Sequence, residues 1–210
     1  MSTVGGQRVP RHGLRIVAVW AVLTAISVPL VVLFHAFVRA RPNRSRLTAF
    51  VVAGYLGVWT LFGFVVHAGD RFVHDGVDRA PWLEANTWLI GAATVLLAGL
   101  YQFTPLKHKC LDKCRSPLSF VMEHWHGERE GHEAFRLGVH HGVFCIGCCW
   151  SLMLLMFAVG VGNLAWKLAL ATVMAVEKNM PWGRLLSTPL GVVLIGAALT
   201  VAVTHTTFTA

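Results

Sequence analysis

All five cysteines of this 210-residue chain fall within 40 consecutive positions: Cys110, Cys114, Cys145, Cys148 and Cys149. An odd number is a poor disulfide framework. Thiolates held close together are soft ligands suited to Cu(I), with Zn(II) the alternative and iron–sulfur chemistry less suited. Cys110 and Cys114 are four apart, so they face one way if a helix continues past Pro105. His141, Cys145 and Cys148 step by four and three, which on a helix places them within roughly 60° of one another. Cys149 lies beside them, Met156 extends the stripe one to two turns further, and Met153 sits at its edge. A single cysteine in an apolar helix is ordinarily a small packing residue. The Cys-x-x-Cys-Cys run, with a histidine one turn earlier and a second pair nearby, reads instead as a ligand set. The predicted metal ligands are Cys110, Cys114, His141, Cys145, Cys148, Cys149, Met153 and Met156, arranged as a path for a soft cation.

Two weaker groups accompany the cysteines. His67, Asp70 and His74, with His205 approaching from the last apolar block, have ligand chemistry, but a hydrated loop of ordinary polar residues explains them better. His124, His126 and His132 are placed to collect metal ahead of the thiolates, although a solvated face accounts for them nearly as well. Glu177 reads as an interface residue paired with Lys178. A competing use of the thiols is a membrane thiol–disulfide oxidoreductase with Cys145/Cys148 as its redox pair; a further one is a structural subunit of a membrane complex. Lipid attachment at Cys110 and Cys114 is a minor option.

The elements that must position these residues follow from composition. Hydrophobic residues make up 55% and charged residues 13%, against roughly 25% charged in an ordinary globular domain. The apolar residues gather into blocks long enough to cross about 30 Å of hydrocarbon. The expected architecture is all-α: a single polytopic transmembrane bundle of six spans at about 14–38, 47–68, 86–104, 139–159, 163–178 and 186–205. Five spans are the alternative, because Lys167 interrupts the fifth. The first block is read as retained rather than cleaved, being longer than a usual signal-peptide core. Gly160-Val161-Gly162 implies a tight hairpin between the fourth and fifth. The connection 106–138 carries two cysteines and a segment, Ser119 to His126, expected to lie along the interface.

The net charge of +8, from 18 Lys+Arg against 10 Asp+Glu, sits mostly between the apolar blocks, where it meets lipid headgroups. No nucleic-acid signature accompanies it, so nucleic acid is excluded as a partner. More Lys and Arg fall on the face holding the connections after the first, third and fifth spans. That face is expected to be cytoplasmic, with the cysteine cluster near it, in a bacterial inner membrane. The compartment is then reducing, which favours metal-binding thiols over disulfides.

The stretches GLYQFTPLKHKCLDKCRSPLSF (Gly99 to Phe120) and GVHHGVFCIGCCWSLMLLMFAVGVGNLAW (Gly138 to Trp166), followed by Glu177-Lys178, resemble a bacterial family of predicted metal-binding integral membrane proteins. One branch of it is described as a copper chaperone for tyrosinase-type copper oxidases. The resemblance implies metal binding through all five cysteines with His141, and a non-enzymatic role delivering copper(I) to a cuproenzyme. Relatives carry a methionine-rich first span between a Trp and a Pro. Here Trp20 and Pro29 enclose no Met, so that part of a thioether relay is missing. A homo-oligomer or a larger membrane complex is the expected setting.

Overall fold

The computed structural model describes residues 30–158 and 164–209, and among these every regular element is helical. In chain order they are α1 (30–37), α2 (Arg44–Arg79), α3 (Pro81–Ala85), α4 (Trp88–Tyr101), α5 (Pro105–Arg115), α6 (Pro117–His124), α7 (Glu130–Ala158), α8 (Leu164–Asn179), a 3₁₀ turn (Gly183–Leu186) and α9 (Ser187–Thr209). The all-helical expectation agrees with this.

Local chemistry sets the starts. Pro81, Pro105 and Pro117 open α3, α5 and α6, where a missing N–H has no partner to lose. Thr104 caps α5, its Oγ accepting from Lys107 N at 3.3 Å. Ahead of α7, the Glu133 carboxylate accepts the backbone N–H groups of His126 and Gly127 at 2.9 and 2.8 Å. That pins a turn in which Gly127 has a φ of 81°, a conformation glycine adopts without penalty.

Two close backbone approaches build the frame. Gly54 of α2 faces the Phe135 carbonyl, and Gly138 of α7 faces the Val51 carbonyl, so tightly that a Cβ on either would overlap an oxygen. Small residues at such crossings let helices associate without help from water. Gly99 brings α4 onto α9 in the same way, against Ile195 and Gly191. Leu30, Phe34 and Val38 then bury themselves with Leu47, Val51, Phe120 and Leu137 in one apolar cluster.

The number of spans differs from expectation. Among the described residues three helical segments are long and apolar enough to cross a membrane: Arg44–Arg79, Glu130–Met156 and Gly183–Thr207. The α4–α5 pair makes a fourth only if its 65° bend is one broken span. Among the described residues the five predicted spans after the first thus give three or four candidates, for local reasons. The predicted span 86–104 is shortened to the 14 residues of α4, and Pro105 starts a separate helix. The predicted span 163–178 is α8, with 16 residues, short of the roughly 20 a crossing needs. Of the predicted span 14–38, residues 14–29, including the stretch from Trp20 to Pro29, lie outside the described residues. So does Gly160-Val161-Gly162.

Two further readings change. The helix expected to stop near 68 continues to Arg79, so His67, Asp70 and His74 stand on an exposed helix rather than a loop. The interfacial segment is α6, which buries Phe120 and Val121 in the core while leaving Leu118 and Met122 exposed.

Candidate metal centre

Pro105 gives α5 a fresh start and a new direction. The change of direction lays Cys110 and Cys114 across α7, where the predicted stripe of His141, Cys145 and Cys148 is realised. Cys110 is seated over Gly147, its Sγ 2.6 Å from where a Cβ there would stand. One turn on, Cys114 Sγ lies 3.5 Å from Cys145 Sγ and 3.9 Å from Cys148 Sγ. His141 Nε2 is 3.5 Å from Cys145 Sγ. The two cysteine groups, 31 residues apart at their nearest, meet at one place.

These separations have chemical meaning. Two sulfurs each about 2.3 Å from one ion at a tetrahedral angle stand about 3.8 Å apart, and the two Cys114 pairs bracket that value. All five cysteines are free thiols. Among the described residues no group of three or more His, Cys, Asp or Glu side chains is already gathered to hold an ion. The thiols are therefore arranged as pairs about Cys114 rather than as a closed cage. Cys148 and Cys149 turn their S–H groups back to the Cys145 carbonyl, at 3.1 and 3.0 Å. Met153 and Met156 pack as partly buried members of the apolar core around the cluster. Of the predicted ligands, Cys114, Cys145, Cys148 and His141 come together. Cys110 and Cys149 flank them, and the two methionines continue along α7.

Aromatic walls fix the histidine. The His141 ring lies between Tyr55, with centroids 6.0 Å apart, and Phe120, at 5.6 Å. It is buried, and its Nδ1 has no hydrogen-bond partner. Tyr101 on α4 donates its hydroxyl to the Gly147 carbonyl, tying α4 to the cysteine-bearing turn of α7. A small cavity opens beside the thiols, lined by Cys114, His141, Cys145, Lys178, Arg115 and Asn179 among others.

The charged surroundings differ from the sequence reading. Glu177 does not pair with Lys178. Its carboxylate instead accepts the Lys107 ammonium at 2.7 Å and the Ser187 hydroxyl at 2.9 Å, with Lys107 also donating to Gln102 Oε1. Lys107 and Glu177 are fully or almost fully buried, at 0% and 2% side-chain exposure. This network locks α5 to α8 and to the start of α9. Lys178, read from the sequence as an interface residue, is also buried, and its Nζ has no hydrogen-bond partner. No spacing rule reveals either arrangement, because both partners come from elements far apart in sequence. Outside the bundle, the Lys113 ammonium beside Glu123 holds that carboxyl below the usual carboxylate range.

The weaker groups stay apart. His74 Nδ1 bonds the Asp70 carbonyl at 2.8 Å within its own helix. His205 stacks on Trp88, with rings 4.8 Å apart. His124 stacks on Phe120 and meets His140 edge-on, with centroids 5.0 Å apart.

No curated protein and no solved structure matches the chain. A family model does, over residues 15–201, and its description is a copper chaperone. That match takes in every helix carrying the thiols, His141 and the buried charges, and by it the chain belongs to the PpoB2 copper chaperone family.

Proposed function

We propose that the chain is a membrane-embedded chaperone that carries copper as Cu(I) on the thiolates of Cys114, Cys145 and Cys148, with His141 as the neighbouring nitrogen ligand. The family is one of copper chaperones, not enzymes, so copper is cargo and the thiols are its carriers rather than a redox pair. The observation that carries the reading is the approach of Cys114 to both Cys145 and Cys148, at 3.5 and 3.9 Å, from a separate helix. Thiolates prefer the softer ion. A site made of pairs leaves an ion open to attack by an incoming ligand, so it passes to the receiving protein by exchange, never as a free ion. Cys110, seated over Gly147, and Cys149, bonded to the Cys145 carbonyl, flank these ligands, and Met153 and Met156 follow on the same helix. A copper-receiving protein such as a copper oxidase is the partner. The apolar segments Arg44–Arg79, Glu130–Met156 and Gly183–Thr207, and the resemblance noted above, support an inner-membrane location.

The test is a Cu(I) titration of the purified chain in detergent against a chromophoric competitor, beside a variant with all five cysteines changed to serine. One tightly held Cu(I), lost in the five-serine variant and in the Cys114→Ser/Cys145→Ser variant, is the expected result. Equal binding by wild type and five-serine variant, or Zn(II) held in preference to Cu(I), overturns it.

A further inference from the structure

Lys178 is the unexplained charge of this site. Its side chain is buried, and its Nζ has no hydrogen-bond partner, an expensive arrangement for an ammonium unless something nearby answers its charge. Neither Glu177 nor Arg115 answers that charge. Glu177, the adjacent residue, is bonded to Lys107 and Ser187. Arg115 caps the end of α8, donating to the Met180 and Pro181 carbonyls at 2.7 Å each. Lys178 instead lines the cavity together with Cys114, Cys145 and His141. Its electrostatic neighbours are the sulfurs of Cys145, Cys149, Cys148 and Cys114.

We propose that Lys178 is a specificity-determining residue, a fixed buried positive charge that makes the thiol site select a monovalent soft cation over a divalent one. The inference rests on the copper reading above and deepens it. Each thiolate used gives up its proton to solvent, and on any one set of thiolates Zn(II) carries one more positive charge than Cu(I). The Lys178 ammonium, in the same cavity as Arg115, adds a further positive charge that burial leaves poorly screened. A positive potential at the ion opposes a divalent cation twice as strongly as a monovalent one, so the ratio of the two affinities reports that potential directly. At the separations of neighbouring side chains in a partly buried site, one unit of charge corresponds to at least about a tenfold change in that ratio.

The experiment measures Cu(I) and Zn(II) affinities of the purified full chain in detergent, by competition at fixed pH, for wild type, Lys178→Met, Lys178→Gln and Lys178→Arg. Loss of charge also makes the thiols harder to deprotonate, which weakens both metals together and cancels in the ratio. The expected result is a Zn(II)-to-Cu(I) affinity ratio raised about tenfold or more in Lys178→Met and Lys178→Gln, and held at the wild-type value in Lys178→Arg. An unchanged ratio in whichever neutral variant folds overturns the proposal. So does a tenfold shift in Lys178→Arg, which keeps the charge. Retained Cu(I) binding with an unmoved ratio removes the role of Lys178 alone, whereas wild type that binds no more Cu(I) than the five-serine variant ends both readings.

Discussion

Changing Glu177 to Gln removes the carboxylate bonded to the fully buried Lys107 ammonium. Lys107 Nζ sits 2.7 Å from Glu177 Oε1, with side-chain exposures of 0% and 2%. Breaking such a pair by deleting one partner costs about 3–5 kcal/mol, because the remaining charge stays buried and uncompensated. For a chain of this size roughly 2–4 °C of melting temperature accompanies each kcal/mol, so Glu177→Gln lowers the melting temperature in detergent by about 6–20 °C. Lys107→Met falls in the same range. The double variant Lys107→Met/Glu177→Met removes both charges together, so it loses less than the sum of the two single variants. Its loss is set instead by Ser187 Oγ and Gln102 Oε1, which lose their partners at about 1–3 kcal/mol for each polar group left unsatisfied. The assay is thermal unfolding by circular dichroism of Glu177→Gln and of the cycle made by wild type, Lys107→Met, Glu177→Met and their double variant. Cu(I) affinity is followed in parallel, because the pair anchors the helix that carries Cys110 and Cys114. Single variants within about 1 kcal/mol of wild type, or a double variant as unstable as the sum of the singles, would refute the argument that the pair is buried and mutually dependent.

Other outcomes follow from single contacts. Gly138→Leu separates α7 from α2, since even a Cβ there overlaps the Val51 carbonyl; the expected loss exceeds about 3 kcal/mol, read as a failure to give a monodisperse, cooperatively melting preparation. Tyr101→Phe deletes only the hydroxyl bonded to Gly147, so stability falls by about 1 kcal/mol in the same melt. Met153→Leu and Met156→Leu conserve volume in the core and leave Cu(I) affinity within about twofold, whereas a loss above tenfold in the titration would make them ligands. Copper loading weakens steadily in acid, because each thiolate used must give up its proton; competition titrations between neutral and mildly acidic pH check this. At the surface, Lys113→Ala lets the Glu123 carboxyl return upward towards its ordinary range, as seen by carbon-detected titration. The pair's contribution is present above that range and fades as pH falls through the lowered value.

The sequence alone determined the helical class and the stripe on α7. Apolar blocks with few charges have no better solution than helices, and spacings of four and three put His141, Cys145 and Cys148 on one face of any helix. It also marked Pro105 as a boundary, although not that the chain would resume as a helix bent 65° from α4. Block lengths overstated the spans, since hydropathy measures whether a segment tolerates lipid and not whether it continues as one helix. What the tertiary structure decided was the meeting of elements. Cys114 reaches Cys145 because Gly147 leaves room for Cys110 above it. Lys107 finds Glu177 rather than a headgroup because α5 folds against α8. Lys178 turns inward to the sulfurs although, in sequence, it looks like the charged end of a span. Side-chain periodicity fixes which residues share a face of one helix, whereas the partner of a buried charge depends on how distant helices cross.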